Sequence, residues 1–187
     1  MEAGENRFIY VDMEKCLGCK SCELACALSH ANTDLYTAVL QGKHLQPRTS
    51  VVLGGDLVTP MQCRQCENAP CALVCPVGAI YQGDGLIKLK ESVCIGCKLC
   101  SMVCPFGVIR MKIEVKKLGT RLLKKGKALK CDLCIEKAGR VEETACACIQ
   151  ACPTKAMYLV DLEEHRKRML ETRGKEAAQA RTRLGQI

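Results

Sequence analysis

The chain has 187 residues, with 17 cysteines, a formal net charge of +8 and only 3% aromatic residues. This length allows one or two small domains, and so few aromatic side chains give little surface for stacking on nucleic-acid bases. No apolar run reaches the ~18 residues that indicate a membrane span, and residues 1–7 lack the apolar segment of an export signal. We therefore expect a cytoplasmic protein whose cysteines bind metal, without nucleic acid and without a membrane span.

The first elements in chain order are a strand and a cysteine group. Residues 7–12 are rich in β-forming side chains and predict a strand. The first group has the spacing C-x2-C-x2-C-x3-C, and the apolar residues after it predict a helix that continues to about His30. This group consists of Cys16, Cys19, Cys22 and Cys26.

Residues 34–60 carry no cysteine and form a linker. Within it, residues 50–53 and 56–59 flank Gly54-Gly55, which predicts a hairpin with a two-residue turn. The second group follows with the wider spacing C-x2-C-x4-C-x3-C-P. It consists of Cys63, Cys66, Cys71 and Cys75.

A second hairpin is predicted from residues 79–81 and 86–89 around Gly83-Asp84-Gly85. The third group then reads C-x2-C-x2-C-x3-C-P, the ferredoxin motif whose fourth cysteine binds a different 4Fe–4S cluster from the first three. Each such motif therefore requires a partner motif elsewhere in the chain. The third group consists of Cys94, Cys97, Cys100 and Cys104.

A short strand is predicted at residues 108–111, inside a strongly basic stretch. Residues 110–130 contain nine basic residues and one acid, Glu114. Two interpretations stay open: a solvated basic loop, or a docking face that also compensates the charge of anionic clusters.

The fourth group is irregular, because 13 residues separate its first two cysteines from the next pair that keeps the x3-C-P spacing. We assign Cys131, Cys134, Cys148 and Cys152 to it, and leave Cys146 as a spare cysteine that is small enough to be buried as a hydrophobic side chain.

Residues 156–160 predict a closing strand that pairs with the first one. Residues 161–184 predict a helix with a narrow apolar stripe that packs on the body or on a partner. The stripe consists of Leu162, Met169, Ala177, Ala180 and Leu184.

The spacing between groups suggests which of them share clusters. Only 18 residues separate Cys75 from Cys94, enough for one hairpin, so the second and third groups are expected to pair and the first and fourth to pair around them. Pairing of the first with the second group and of the third with the fourth stays the alternative. The nested scheme gives four sites: site A (Cys16, Cys19, Cys22, Cys152), site B (Cys26, Cys131, Cys134, Cys148), site C (Cys63, Cys66, Cys71, Cys104) and site D (Cys75, Cys94, Cys97, Cys100).

Four 4Fe–4S clusters are the expected cofactors. Each oxidised centre carries roughly −2 with its thiolates, so four of them would offset the formal charge of +8. Zinc is the alternative metal, but four-thiolate zinc sites usually come from two separated C-x2-C pairs.

The histidines His30, His44 and His165 lie outside the cysteine groups without a catalytic constellation, so we interpret them as surface or capping residues and expect no enzyme activity.

The four groups, with a widened second group and a long gap in the fourth, resemble the four-cluster iron–sulfur subunits of dimethyl sulfoxide reductase, formate dehydrogenase and formate hydrogenlyase. The resemblance covers residues 7–160, and the family implies the same nested pairing. Within the family, residues 16–27 and the short chain look most like the CooF-type subunit of nickel carbon-monoxide dehydrogenase. The 13-residue gap and Cys146 depart from the usual fourth group and leave one ligand open.

The resemblance implies an α+β fold of two ferredoxin-like units, with small antiparallel hairpins, short helices and a C-terminal helix. The outer unit would comprise residues 1–58 and 113–160, the inner unit residues 59–112, and the tail residues 161–187. It also implies a carrier that takes single electrons from carbon-monoxide dehydrogenase and passes them to a hydrogenase, a ferredoxin or an NAD(P) reductase. A subunit of a formate dehydrogenase, hydrogenase or aldehyde oxidoreductase is the alternative, and a zinc-stabilised adaptor a distant one. Lys20, Lys98 and Lys130 are candidates for tuning cluster potentials, which depend on nearby charge.

Overall fold

The computed structural model describes residues 6–55, 57–118 and 121–184, without the side chains of residues 116–118, 121–123 and 181–184. The strands in chain order are β1 (Arg7–Val11), β2 (Ser50–Gly54), β3 (Leu57–Met61), β4 (Ile80–Gly83), β5 (Leu86–Leu89), β6 (Arg110–Leu118), β7 (Arg121–Leu129) and β8 (Met157–Asp161). The α-helices are α1 (Ser21–Ala31), α2 (Leu35–Leu40), α3 (Pro70–Leu73), α4 (Leu99–Val103), α5 (Ile135–Ala138), α6 (Ala147–Gln150) and α7 (Leu162–Leu184). The strands of the described residues form two-stranded antiparallel sheets, so the fold combines short helices with small β-ribbons.

The ribbon of β1 and β8 joins the two ends of the cysteine-containing region. Arg7 pairs with Asp161 and Val11 with Met157, as the sequence predicts for the first and last strands. The side chains of Ile9, Val11 and Met157 are buried, because alternate residues of each strand face the core. This ribbon brings the first and fourth cysteine groups to the same region of the molecule.

Two predicted hairpins are present: the first turn begins one residue later than expected, and the second lies within the expected Gly83-Asp84-Gly85. In β2–β3 Gly54 pairs with Leu57, so the turn begins at Gly55, whose φ is +57°, and its second residue lies outside the described residues. In β4–β5 Gly83 pairs with Leu86, which leaves a two-residue turn of Asp84 and Gly85. Both turn residues have positive φ, +52° and +71°, as the tight turn of a right-twisted hairpin requires.

Of the two interpretations of residues 110–130, the solvated loop is wrong. The basic stretch forms the nine-residue strands of the β6–β7 hairpin, in which Arg110 pairs with Leu129 and Glu114 with Lys125. The linker contains α2, whose first turn is capped where the side chain of Asp34 accepts a hydrogen bond from the backbone N–H of Thr37 at 2.9 Å.

Cysteines make up a large part of both hydrophobic cores. The first core joins β1, β8 and α6 around Cys22, Cys131 and Cys148, and it also contains Cys63. The second core joins β4, β5 and the base of the β6–β7 hairpin around Cys71, Cys94 and Cys100. The expected domain boundary after residue 112 falls within β6, and Ala128 of β7 packs in the second core, so the hairpin belongs with the inner residues.

The C-terminal helix α7 contacts the body at its start. His165 lies against Phe8 and Tyr10, with ring centroids 5.9 and 5.2 Å apart. Met169 is 43% exposed, and the described side chains of residues 166–180 are all exposed. The predicted apolar stripe therefore does not pack along the body within the described part of the chain. None of the helices there combines the length and the apolar character that crossing a membrane would require.

Candidate iron–sulfur sites

The four C-x2-C loops share one backbone feature. The residue just before the second cysteine has a left-handed conformation in every group: Gly18 (φ +66°), Gln65 (+51°), Gly96 (+76°) and Leu133 (+56°). Glycine adopts this conformation without steric cost, whereas other residues pay for it. The four loops therefore share a backbone conformation as well as a spacing. At Gln65 and Leu133, which are not glycine, this conformation carries a steric cost.

A second shared feature follows the Cys-Pro pairs. The third residue after the cysteine again has positive φ, at Gly78, Gly107 and Lys155. In two of these turns the next backbone N–H points at the cysteine: Ala79 donates to Cys75 Sγ and Ala156 to Cys152 Sγ, each at 3.2 Å. The turn thus supplies a hydrogen bond to sulfur.

The first group lacks the proline, and α1 continues through Cys26 to Ala31. Its fourth cysteine obtains an equivalent hydrogen bond from a distant residue, because the backbone N–H of Arg48 donates to Cys26 Sγ at 3.3 Å. The linker after α1 therefore replaces the missing turn.

The structure places the predicted site D cysteines around one apolar cavity. Cys75, Cys94, Cys97 and Cys100 line it together with Met111 and Ala128 of the β6–β7 hairpin. Ala128 also donates its backbone N–H to Cys94 Sγ at 3.4 Å. One cysteine of the second group thus meets three of the third.

The predicted site A cysteines surround a similar cavity. Cys16, Cys19, Cys22 and Cys152 line it together with Val51, Pro60 and Met157. Here one cysteine of the fourth group meets three of the first.

The thiols of site C lie close enough together to affect one another's pKa. Burial, together with the nearby thiols of Cys63, Cys104 and Cys66, raises the pKa of Cys71 to about 11 against an opposing effect of Lys130. The pKa of Cys66 is likewise raised by burial and then by Cys63 and Cys104. These four side chains therefore share one region.

Site B is brought together in the same way. Burial raises the pKa of Cys131 well above its ordinary value, and Cys148 and Cys26 add to the effect. Burial also raises the pKa of Cys148, with further contributions from Cys26 and Cys134.

The sites follow one another in a row from A to D. Between A and B, the thiol of Cys22 acts on Cys148, and α1 packs against α6. Between B and C, the thiol of Cys63 acts on Cys131. Between C and D, α3 packs against α4, which carries Cys100 and is followed by Cys104.

The donor chemistry of these sites fits iron–sulfur clusters. The thiolate is the metal-binding form of cysteine, yet burial raises the pKa of Cys22 to about 11 and that of Cys71 to about 11. Several thiolates packed together away from water need a compensating cation to stay charged. Iron held by four of them meets that need.

Two buried polar side chains connect the loops. Gln65 donates from Nε2 to the carbonyl of Cys131 at 3.2 Å and accepts the backbone N–H of Ile87 at 2.8 Å. Lys130 is 1% exposed and donates from Nζ to the same Cys131 carbonyl at 2.7 Å. Lys130 is thus placed to act on neighbouring sulfur, whereas Lys20 and Lys98 are exposed.

Of the two interpretations of His30, a surface or a capping residue, the first is wrong. Its side chain is 9% exposed, its Nε2 lies 3.0 Å from Asp132 Oδ1, and its Nδ1 lies 2.8 Å from the carbonyl of Cys26. Burial alone would lower the pKa of His30, but the hydrogen bonds to Asp132 and Cys26 raise it to about 10. Asp132 also pairs with Arg48 at 3.0 Å, which completes a buried charge network beside site B. His44 is exposed, as expected.

Cys146 is fully buried at the start of α6. Its Sγ lies 3.5 Å from the carbonyl oxygen of Leu133, and its hydrogen bond with Cys134 lowers the pKa of Cys134 to about 6. Cys148, two residues further along the chain, lies close enough to Cys26 for that thiol to raise its pKa. Both cysteines are therefore near site B, in different positions.

The sequence interpretation missed Arg48, Asp132 and Gln65. Asp132 lies between two cysteines of a C-x2-C pair, where a polar residue could have been noticed. The partners of these side chains are too far along the chain to be inferred, since Asp132 and His30 are 102 positions apart.

Short helices, paired ribbons and converging buried thiols together define a ferredoxin-like iron–sulfur protein. Comparison with known proteins agrees: residues 56–162 match the family model described as a 4Fe-4S dicluster domain. The chain belongs to this family of electron-transfer iron–sulfur proteins.

Several relatives align over most of the chain. An iron–sulfur protein of Rhodospirillum rubrum is 45% identical over 177 residues, which cover 94% of this chain and 93% of that protein. Electron transport protein HydN of Escherichia coli K12 is 42% identical, with coverage of 83% and 89%. Formate hydrogenlyase subunit 2 of the same organism is 36% identical, with coverage of 83% and 82%.

Proposed function

We propose that the sixteen cysteines of sites A to D hold four 4Fe–4S clusters, and that the protein relays single electrons along them without catalysing a reaction itself. The observation that supports this proposal is the row of four-thiol sites, in which cysteines of neighbouring sites influence each other, Cys22 with Cys148 and Cys63 with Cys131. When bound, the clusters would supply reversible one-electron oxidation and reduction.

The residues of the chain would hold the clusters, keep water away and tune them. Backbone N–H groups donate to the sulfurs of Cys152 in site A, Cys26 in site B, and Cys75 and Cys94 in site D. Hydrogen bonds to sulfur and solvent exposure both set cluster potential. Sites that differ in these contacts are expected to differ in potential.

We further propose that the electron donor is carbon-monoxide dehydrogenase, in the cytoplasm, and that the acceptor is a hydrogenase, a ferredoxin or an NAD(P) reductase. This choice is supported by the resemblance of residues 16–27 to the CooF-type subunit. A second candidate is a subunit of a formate dehydrogenase or hydrogenase, which the similarity to formate hydrogenlyase subunit 2 favours.

Metal analysis tests the cofactor proposal. Oxygen-free protein should be brown, absorb broadly near ~400 nm and contain about sixteen irons with equal inorganic sulfide. Far less iron, or zinc without sulfide, would overturn it in favour of a zinc-stabilised adaptor.

Capture of partners by the tagged protein under anaerobic conditions tests the donor. A nickel enzyme that oxidises carbon monoxide should co-purify. Recovery of a molybdenum or tungsten enzyme in its place would reject this donor and support the second candidate.

A further inference from the structure

Two of the seventeen cysteines, Cys19 and Cys97, are exposed. Cys19 belongs to site A and Cys97 to site D, the two ends of the row. Sulfur ligands therefore reach the surface where the row begins and where it ends, which are the places for electrons to enter and leave.

The two ends are built alike. Each exposed cysteine follows a glycine that is packed against a hairpin: Gly18 against Val58 of β3, and Gly96 against Gly126 of β7. Each loop also presents an apolar side chain to solvent, since Leu17 is 71% exposed and Ile95 is 53% exposed.

The ends differ in charge. The β2–β3 hairpin beside site A contains no lysine or arginine, whereas Glu114 is the only acid in the β6–β7 hairpin beside site D. Glu114 is paired with Lys112 at 3.4 Å. Lys98 and Lys124 are exposed, and neither makes an ion pair among the residues that the structure describes.

The β6–β7 hairpin also carries an apolar strip. Ile113 and Val115 are 66% and 55% exposed and lie on the same strand face as Met111, which lines the site D cavity. Exposed apolar residues next to unpaired charge are typical of surfaces that bind another protein.

The hairpin is fixed to the loop that it flanks. The Nζ of Lys127 donates to the carbonyls of Glu91 at 2.6 Å and Cys94 at 2.8 Å. The backbone N–H of Ala128 donates to Cys94 Sγ. A partner held by the outer part of this hairpin is therefore held close to site D.

We infer that the site D end, formed by the Cys94–Cys100 loop and the β6–β7 hairpin, docks the acidic face of a redox partner protein. Carboxylates of the partner pair with the exposed lysines, and its apolar contact rests on the exposed strip; opposite charges speed the encounter and set the orientation. This inference rests on the proposed relay function. The docking residues are Ile95, Lys98, Ile113, Val115 and Lys124, the last of which lies across the ribbon from Val115 on the same face.

The test uses an acidic two-cluster bacterial ferredoxin as the probe, titrated calorimetrically into the iron-loaded full chain without oxygen. Binding should weaken at least about tenfold between ~20 and ~500 mM salt, because the Debye length shortens below the spacing of the charges. The K98E/K124E variant should bind at least about tenfold more weakly at low salt. The matched control K167E/K175E makes the same change in net charge on α7 and should stay within about twofold.

Three results would overturn the inference: no binding at low salt, binding that salt does not change, or equal losses in both variants. Iron content and absorbance near ~400 nm, measured on every variant, separate this result from the relay proposal. A protein with a full complement of iron and no binding would contradict the docking surface alone. A protein with little iron would contradict the relay itself.

Discussion

The backbone of Gly96 lies directly against the backbone of Gly126, so that a methyl group added at Gly96 would be 2.9 Å from the carbonyl carbon of Gly126 and closer still to its oxygen. Gly96 also has a φ of +76°. Two separate constraints, conformation and space, thus favour glycine between Cys94 and Cys97. The contact fastens the third cysteine loop to the basic hairpin.

We predict that Gly96→Ala destabilises the protein by about 3 kcal/mol or more, because strain in the left-handed conformation adds to a clash with backbone that cannot rotate away. Cluster loss should begin at site D. The measurement is the midpoint of anaerobic unfolding together with the iron content, which should fall by up to about four atoms per chain.

Gly107→Ala is the matched control. Gly107 has a φ of +61°, but an added methyl group there would meet open space. It should cost only the conformational strain, about 1 kcal/mol. Equal effects of both substitutions would show that the contact with Gly126 contributes nothing.

Separate replacement of Cys146 and Cys148 by alanine tests which of the two is a ligand at site B. Cys148→Ala should remove about four irons per chain, because it would delete a ligand that lies close to Cys26. Cys146→Ala should keep the iron and cost about 1 kcal/mol, the effect of a small buried group. Iron and sulfide analysis with electron paramagnetic resonance distinguishes the two variants. Loss of iron in Cys146→Ala alone would reverse the assignment.

The sequence predicts the pairing of the first and last strands and the two short hairpins, but not the full length of the β6–β7 hairpin. The pairing of β1 with β8 and the two small hairpins follow from β-forming residues and glycine turns. The β6–β7 hairpin was missed beyond residue 111, although Met111, Ile113 and Val115 alternate with charged residues in the period of a strand. Its high charge is typical of a loop, whereas the alternation indicates the strand that the structure shows.

The buried charge network could not be predicted in the same way. His30 and Asp132 sit in different cysteine groups, and their contact exists because both groups enclose site B. Contacts of this kind depend on how the groups pack in three dimensions. Spacing along the chain predicts which cysteines bind iron–sulfur clusters, but not which side chains surround them.

Lys127 provides a test of how the hairpin supports site D. Its amine donates to three carbonyls, those of Glu91, Ser92 and Cys94, and its side chain is 6% exposed. Lys127→Met would leave these carbonyls without that donor, at a cost of about 1–3 kcal/mol. The rate of bleaching near ~400 nm in denaturant should rise, since site D would open first.

The control for this substitution is Lys125→Met, two residues earlier on the same strand. Lys125 is exposed, so the change should stay within about 0.5 kcal/mol. If Lys125→Met bleaches as fast as Lys127→Met, the three hydrogen bonds do not stabilise the loop.

Arg48 pairs with the carboxylates of Glu91, Asp132 and Glu136. The last two differ in burial and allow a sharp comparison. Asp132, 12% exposed, lies 3.0 Å from one guanidinium nitrogen, whereas Glu136, 53% exposed, lies 3.3 Å from another. Asp132→Asn would leave the Arg48 guanidinium and His30 buried together without a shared anion. We expect this variant to lose about 3 kcal/mol and Glu136→Gln to lose less than about 1 kcal/mol.

Anaerobic denaturant unfolding of both variants measures this difference, and a redox titration adds a second readout. The backbone N–H of Arg48 donates to Cys26 Sγ, so movement of Arg48 should shift the potential of the cluster at site B in Asp132→Asn and leave it in Glu136→Gln. A stable Asp132→Asn variant with unchanged potentials would show that the network neither holds Arg48 in place nor acts on the sulfur of Cys26. In the first group, which lacks the Cys-Pro turn, the hydrogen bond from Arg48 to Cys26 Sγ takes the place of the one that the turn supplies elsewhere. In that case another group would have to supply this hydrogen bond.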